Sequence, residues 1–248
     1  MEDWVWSYSR INTFDQCKYE FFMKYILSLP PVSNFYSEFG SYVHHILKMV
    51  HTGEIGKENA IKYFTDKFDE NVISGISTKI RVDHILSTVE YLSSLKPVDN
   101  IILCEERLFG KISGFDFIGF ADLIYQDGDS VIIRDHKSRN LKPKIPGKKR
   151  KTDDELDRYF RQLYIYANLF RQEYKRRADA LEFNCYRVPV LIRENNSDTD
   201  EMNTVLSVGK KIREIMNEES FKPNLDYFYC NNLCEMRENC EYRCCAQW

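Results

Sequence analysis

The sequence lacks the features that would place the protein in a membrane or outside the cell. Its longest apolar runs are far shorter than the roughly 20 residues that a membrane-spanning helix requires. The opening stretch, MEDWVWSYSR, has no basic start followed by an apolar segment, so it does not resemble a secretory signal. These absences predict a cytoplasmic protein without a membrane partner.

Internal repeats and motor motifs are missing as well. No G-x-x-x-x-G-K-S/T stretch occurs, which excludes the phosphate-binding loop of helicases and other nucleotide-driven motors. The chain has 248 residues, of which 43% are hydrophobic and 14% aromatic, enough for one domain with a substantial core. We expect a single domain over residues 1–248 with its core at about 37–195.

One long segment has no acidic residue, although the net charge of the chain is −3. This segment, KSRNLKPKIPGKKRK at 137–151, contains eight lysines and arginines. A solvated loop is one interpretation. The other is a surface that attracts phosphate groups, and it is favoured by the position of the segment directly after a strand with ionisable residues.

Apolar residues recur at helical spacing in some segments and alternate in others. Helices are predicted at residues 9–27, 37–51, 57–95 and 200–218, and after a capping box at 152–155. Strands are predicted at residues 101–112, 115–126, 130–138 and 180–194. The order of these elements predicts an α/β fold in which helices flank a central mixed sheet.

The hairpin GFADLIYQDGDSVIIRDHKS, residues 119–138, carries the most informative polar groups. Alternate side chains of a strand share a face, so Asp135 and Lys137 should be neighbours, and the hairpin turn should bring Asp122 close to them. Two converging carboxylates repel each other unless a cation lies between them, and Mg²⁺ or Mn²⁺ prefers such oxygen ligands. The alternative is an Asp–Lys pair on the surface, which would contribute little.

Four short motifs, in this order, resemble the PD-(D/E)XK nuclease superfamily and within it the RecB-like branch. They are Gly40-Ser-Tyr-Val-His44, Gly119-Phe-Ala-Asp122, Asp135-His136-Lys137 and Gln162-Leu-Tyr-Ile-Tyr166. The chain departs from the usual pattern at Ala121, where the family often has proline before the first acid.

The resemblance implies a restriction-endonuclease-like fold and a role for each motif residue. His44, Asp122, Asp135 and the main-chain carbonyl of His136 would bind Mg²⁺ or Mn²⁺. Lys137 would position or activate a water molecule, and Gln162 and Tyr166 would contact the DNA backbone or brace the site. Glu105 or Glu106 would add a carboxylate, and strand alternation does not choose between them.

The implied function is a metal-dependent DNA nuclease, an exonuclease that acts on single-stranded ends. The chain is similar to CRISPR-associated RecB-like exonucleases and to the AddB nuclease domain, so a CRISPR adaptation integrase or a helicase or recombination protein would be its partner. Candidate DNA-binding residues are Lys142, Lys144, Lys148, Lys149, Arg150, Lys151 and Tyr166. The alternative function is a non-catalytic DNA-binding or assembly subunit that retains the nuclease fold.

The cysteines are concentrated near the end of the chain. Five of the eight occur in YCNNLCEMRENCEYRCC, residues 229–245, a density that indicates metal ligation rather than disulfides in a cytoplasmic protein. Cys104 and Cys185 lie in predicted strands and are interpreted as core residues.

The same resemblance implies a [4Fe–4S] cluster that joins helix 9–27 to the tail at 220–248. Its ligands would be Cys17, Cys230, Cys234 and Cys240, with one residue more between the first two tail cysteines than the family usually has. Cys244 or Cys245 would be an alternative for one tail ligand. Four thiolates suit Zn²⁺ as well, so a zinc site is the alternative.

Overall fold

The computed structural model describes residues 4–245, except for the side chain of Cys244. The chain forms a six-stranded mixed sheet with helices packed against it, which confirms the predicted α/β class. None of the described helices combines the length and the apolar character that crossing a bilayer would require.

The strands follow the predicted hairpins, with two additions. They are β1 (Trp6–Ser7), β2 (Ile101–Ile112), β3 (Phe115–Asp127), β4 (Ser130–Lys137), β5 (Ala180–Cys185) and β6 (Val190–Asn195). The sheet order is β1-β3-β4-β5-β6, and β2 also pairs with β3. The pairs β1–β3 and β4–β5 are parallel, and the others are antiparallel.

The helices lie on both sides of this sheet. The α-helices are α1 (Tyr8–Gln16), α2 (Lys18–Phe21), α3 (Phe35–His51), α4 (Lys57–Asp66), α5 (Phe68–Asn71), α6 (Thr78–Ser94), α7 (Lys151–Tyr174) and α8 (Asp198–Met216). Two π-helical turns, Phe22–Ile26 and Tyr229–Leu233, and a 3₁₀ turn, Arg243–Cys245, complete the described secondary structure.

The prediction of one continuous helix at 9–27 was wrong. The first helix begins at Tyr8, with Ser7 as its cap, and it ends where Cys17 adopts an extended backbone with φ −157° and ψ 111°. The sulfur of Cys17 accepts hydrogen bonds from the main-chain N–H groups of Glu20 and Asn224. Cys17 therefore caps the following helix and at the same time contacts the C-terminal segment.

Three other boundaries differ from the predictions. Segment 57–95 forms three helices, and segment 180–194 forms a hairpin whose turn at 186–189 contains no glycine, asparagine or aspartate. The long helix α7 is capped by Arg150 and Asp153, where the Arg150 N–H donates to Asp153 Oδ2 at 2.7 Å. The hydroxyl of Thr152, the predicted cap, is buried and has no hydrogen-bond partner among the described residues.

The core has separate parts on the two sheet faces. On one face α7 buries apolar side chains of three strands, among them Leu108, Ile124 and Ile133. The other helical layer, built by α3, α4 and α6, has its own apolar cluster. Burial of this area is the main source of stability for such a fold. The C-terminal end of β4 lies beside the middle of β3, and the polar motif residues meet there.

Candidate active site

Three side chains of the types that bind metal ions, a histidine and two acids, come together at the motif residues. The ligand atoms of His44, Glu105 and Asp122 all lie within 4.8 Å of one another. His44 Nδ1 is 3.1 Å from Glu105 Oε1 and 3.6 Å from Asp122 Oδ2. The cluster thus joins the middle of α3 to strands β2 and β3, and it contains Glu105 rather than Glu106.

A local change in the backbone brings Glu105 into this cluster. Its φ of 52° is left-handed, which is rare for a residue with a side chain and costs on the order of 1–3 kcal/mol. Cys104 packs with Leu123 on one face of the sheet, whereas Leu108 packs under α7 on the other. Strict alternation along β2 would put Cys104 and Leu108 on the same face of the sheet. Because they lie on opposite faces, the alternation is interrupted between them, and this interruption turns Glu105 toward His44.

Asp135 and Lys137 lie beside this cluster as an ion pair. Lys137 Nζ is 2.7 Å from Asp135 Oδ2, and the Asp135 side chain is only 3% exposed. Apart from this contact with Lys137, the buried Oδ2 has no hydrogen-bond partner among residues 4–245. Asp135 is not a member of the set within 4.8 Å, although the sequence predicted it as a ligand with His44 and Asp122.

Gln162 and Tyr166 lie behind Lys137. The Lys137 ammonium donates to Gln162 Oε1 at 3.2 Å, and Gln162 Nε2 donates to the Tyr166 hydroxyl at 2.7 Å. Tyr166 is buried, and its ring packs against Gly119, where a Cβ atom would come within 2.8 Å. Of the two predicted roles, bracing the lysine is the one that this geometry favours.

Residue 136 contributes its main chain to the cluster, whereas its ring packs against the rings of His44 and His51. The His136 N–H donates to Asp122 Oδ2 at 2.7 Å, and its carbonyl oxygen is 3.1 Å from His44 Nε2. The buried ring stacks on His51, with ring centroids 6.1 Å apart, and lies 3.0 Å from the amide nitrogen of Asn184. These contacts hold the peptide group that touches both Asp122 and His44.

The charges of the cluster shift the pKa values of its members. Burial lowers the pKa of His44, but Asp122 and Glu105 outweigh this effect and raise it to about 9. Burial raises the pKa of Asp122 to about 7, with Asp135 adding to the rise and His44 opposing it. Burial also opposes the charge of Lys137, yet Asp135 and Asp122 raise the pKa of Lys137 above its usual value. At neutral pH the site therefore holds an imidazolium and an ammonium among its carboxylates.

Much of the predicted DNA-binding loop is neutralised by the acidic start of α7. Lys144 pairs with Asp157 and Glu194, Lys149 with Asp154, and Arg150 with Asp153. Three loop lysines are exposed and form no ion pair with the described residues: Lys142, Lys148 and Lys151. The loop thus presents fewer free cations than its sequence suggests.

The four predicted thiol ligands line one cavity between the two ends of the chain. Cys17 comes from the turn after α1, and Cys230, Cys234 and Cys240 come from the tail. The carboxylate of Glu20, which is 3% exposed, accepts hydrogen bonds beside them from the Tyr229 hydroxyl and the Glu235 N–H. Cys245 is exposed, and the side chain of Cys244 lies outside the described residues. Cys104 and Cys185 are buried in the sheet, as predicted.

Comparison with known proteins agrees with the superfamily that the motifs indicated. A family model described as the PD-(D/E)XK nuclease superfamily matches residues 5–243. A protein named "Putative exonuclease" from Eubacterium rectale has a similar structure, with a TM-score of 0.56, 12% identity, and coverage of 95% of this chain and 87% of that chain. This likeness indicates a common fold.

A second structure, SSO0001, has a TM-score of 0.37 and 16% identity, and covers 84% of this chain and 93% of that chain. No curated protein matches the sequence.

Proposed function

The chain belongs to the PD-(D/E)XK nuclease superfamily, and from this membership we propose that it is a DNA nuclease dependent on Mg²⁺ or Mn²⁺. The proposed reaction is hydrolysis of a phosphodiester bond by a water molecule at the candidate active site. The proposed substrate is a single-stranded DNA end, from which the enzyme removes nucleotides as an exonuclease.

The observation that carries the proposal is the cluster of His44, Glu105 and Asp122 beside the Asp135–Lys137 pair. Carboxylate and carbonyl oxygens are the donors that suit Mg²⁺ and Mn²⁺, and the single imidazole nitrogen is a softer donor beside them. The buried Asp135 carboxylate, whose Oδ2 contacts the Lys137 ammonium, is a further oxygen donor at the same place. The side chains present thus fit a hard divalent cation.

Each residue of the cluster has a chemical task in this proposal. When bound, the metal ion lowers the pKa of a bound water molecule and stabilises negative charge on the phosphate. His44, Glu105, Asp122, Asp135 and the carbonyl of His136 would hold the ion. For this task His44 must lose the extra proton that its raised pKa favours.

Lys137 has the second task. Its ammonium would hold the attacking water and balance the negative charge that develops on the phosphate. Asp135 and Gln162 fix the position of this ammonium from two sides. Tyr166 in turn fixes Gln162, so the brace extends into the core beneath α7.

The exonuclease assignment draws on the relative from Eubacterium rectale, which carries that name and has the same fold. Because the sequence contains no motor motif, we propose that any unwinding of duplex DNA is done by a separate helicase or recombination protein. An adaptation integrase of a CRISPR system is the other proposed partner. Genes next to the one for this chain would separate these two settings.

We also propose that Cys17, Cys230, Cys234 and Cys240 bind a [4Fe–4S] cluster. Four sulfurs bound about 2.3 Å from one zinc ion would lie within 4.8 Å of one another. Among the described residues no three thiols are that close, which favours a larger inorganic group over a single Zn²⁺. Pure anaerobic protein is expected to be brown, whereas a zinc protein would be colourless.

The test of the nuclease proposal is cleavage of labelled single-stranded and double-stranded DNA in the presence of Mg²⁺ or Mn²⁺. Lys137→Ala is expected to lower the cleavage rate at least about 100-fold, because positioned proton-transfer and electrostatic groups contribute at least that much. Lys62→Ala removes a lysine from an exposed Lys–Asp pair on α4 and is the matched control. Unchanged cleavage by Lys137→Ala would refute the assigned site.

The same experiment separates the alternative function, a non-catalytic subunit. Such a protein would bind DNA but leave it intact with either metal, and Lys137→Ala would change nothing. The presence of all four motifs favours the enzyme, because Asp135, Lys137 and Gln162 form one connected arrangement that binding alone does not require.

A further inference from the structure

Two phenylalanines are exposed on the hairpin that leads to the candidate active site. Phe109 on β2 is 51% exposed and Phe120 on β3 is 50% exposed. Their neighbours Gly110 and Gly119 face α7, since a Cβ atom on either would come within 2.8 Å of an α7 side chain. Because side chains alternate along a strand, both phenyl rings point to the opposite, open face of the hairpin.

An arginine lies beside Phe120, between Phe109 and the cluster along β2. Arg107 is the cross-strand partner of Phe120, and its guanidinium carbon lies 5.4 Å from the centre of the Phe120 ring. Within the described part of the chain Arg107 forms no ion pair, unlike most cations of the 137–151 loop. The hairpin face therefore combines flat apolar rings with a positive charge that no acid neutralises.

This face is continuous with the cluster along both strands. Arg107 follows Glu105 by two residues, and Phe120 precedes Asp122 by two residues. Two residues of a strand span roughly 6.6 Å, about the distance covered by two nucleotides of a stacked strand. A strand with its scissile phosphate at the cluster would thus reach Phe120 within about two nucleotides and Phe109, four residues from Glu105, within about four.

We propose that Phe109 and Phe120, with Arg107, form a stacking platform for the unpaired bases of the strand being cleaved. This inference deepens the proposed nuclease function and rests on it. Aromatic rings bind any base through its face, and the guanidinium can stack or contact a phosphate. Bases in a duplex already stack on one another and cannot use such rings, so the platform selects single-stranded DNA.

The composition of the face favours nucleic acid over a protein as its occupant. A polyanion that must approach the carboxylates of the cluster gains from an unneutralised arginine beside them, because the positive charge offsets the repulsion between phosphate and carboxylate. Nucleic acid also needs only an open track that ends at the cluster, and the hairpin provides one. A protein partner is therefore an outcome of the test rather than a second proposal.

The test measures binding of fluorescent single-stranded and blunt duplex DNA to a cleavage-deficient background, Asp135→Asn, with Mg²⁺ present. Adding Phe120→Ala or Phe109→Ala is expected to weaken single-strand binding at least about fivefold and duplex binding less than about twofold. Leu191→Ala is the control, because Leu191 is also 50% exposed but lies on β6, at the other edge of the sheet. It should bind both DNA forms normally.

A second variant provides a direct signal for stacking. Phe120→Trp keeps an aromatic ring, so it should retain single-strand affinity, and its added fluorescence should be quenched by single-stranded but not by duplex DNA. Thermal unfolding of each variant checks that the fold is intact, which is expected because both phenyl rings are exposed.

The possible results separate the platform from the nuclease function. If the wild-type protein cleaves DNA but the alanine variants bind single strands normally, the platform is wrong and the nuclease proposal stands. Equal loss for single strands and duplex also overturns it, because that result indicates charge or shape rather than stacking. If the face binds a protein and the alanine variants bind DNA normally, the platform proposal is likewise overturned. A wild-type protein that neither binds nor cleaves DNA ends both proposals.

Discussion

The two clusters of ligand-type side chains differ in what holds them in place. The oxygen-rich cluster is the set of His44, Glu105 and Asp122 together with the neighbouring Asp135–Lys137 pair. Its carboxylates contact positive or N–H groups: Asp135 contacts Lys137, and Asp122 contacts His44 and the His136 N–H. In the cysteine cavity the sulfurs have weaker partners. The Cys17 sulfur accepts hydrogen bonds from two main-chain N–H groups, and the Cys230 thiol donates a hydrogen bond to the carbonyl of Asn224.

The surroundings of the two clusters differ in the same way. The oxygen-rich cluster lies within β2 and β3 and at the C-terminal end of β4, in a part of the sheet that contacts both α7 and α3. The cysteine cavity joins segments about 200 residues apart in sequence, with a small apolar cluster around Met23 and Met236 and a few ion pairs such as Lys18–Glu218. We therefore expect the oxygen-rich cluster to depend on a stable fold, whereas the cysteine cavity, with its metal group bound, should itself stabilise the fold.

The largest effect on stability should come from removing a thiol. Cys17→Ser is expected to lose the bound cluster and its brown colour, and to lower the melting temperature by roughly 10 °C or more, because a structural metal site contributes several kcal/mol. The measurement is thermal unfolding of anaerobically purified protein, with the visible absorbance spectrum recorded in parallel.

The matched control for this variant is Cys104→Ser, which alters a buried cysteine that lies outside the cavity. It should keep the colour and lose only about 1–2 kcal/mol through a buried hydroxyl. A colourless wild-type protein would contradict the iron–sulfur cluster. A Cys17→Ser variant as stable as the wild type would show that the cysteine cavity does not stabilise the fold.

The next effect concerns pH and Mg²⁺ at the oxygen-rich cluster. The folded protein raises the pKa of Asp122 from 3.8 to about 7 and that of His44 from 6.5 to about 9. Both groups therefore hold protons more tightly when folded, so the stability of the metal-free protein should fall as pH rises, through about 7 for Asp122 and about 9 for His44. Mg²⁺ competes with these protons, so it should bind more tightly across the same range.

The expected result is a rise in melting temperature on adding Mg²⁺ that is larger at pH 8.5 than at pH 6.5. A concentration ten times the dissociation constant gives about 1.4 kcal/mol, or roughly 3–6 °C. His44→Ala should lose most of this gain, whereas His45→Ala, at the exposed neighbouring position, should keep it. A Mg²⁺ effect independent of pH would show that these two groups do not hold the ion.

The sequence was sufficient to predict the sheet, the superfamily and the side chains that converge at its end. Hairpin turns and alternation are local signals, and the D-x-K spacing puts Asp135 and Lys137 on one face whatever the rest of the chain does. The family model over residues 5–243 agrees with the motifs that carried the resemblance.

What could not be predicted depends on departures from regular backbone or on distant partners. The choice of Glu105 over Glu106 requires the left-handed φ at Glu105, which only the surrounding structure imposes. The break at Cys17 depends on Asn224, far away in sequence. The charge of the 137–151 loop is neutralised by acids of α7 that face it, such as Asp154 and Asp157. The number of lysines in the loop does not reveal these ion pairs.

The smallest predicted effect tests whether the oxygen-rich cluster stores strain in the fold. Glu105→Gly and Glu105→Ala both lose the Glu105–His44 contact, but only glycine relieves the left-handed backbone. In the metal-free protein Glu105→Gly should therefore be more stable than Glu105→Ala by about 1 kcal/mol, roughly 2–4 °C, while cleavage falls sharply in both. Glu106→Gly is the matched control. Its backbone is ordinary, so glycine should lower stability relative to Glu106→Ala by about 0.5–1 kcal/mol and leave cleavage near normal. Relative to alanine, we expect glycine to raise stability at position 105 and to lower it at position 106, because of the two only Glu105 has a left-handed backbone. A glycine less stable than alanine at both positions would mean that Glu105 is held without strain.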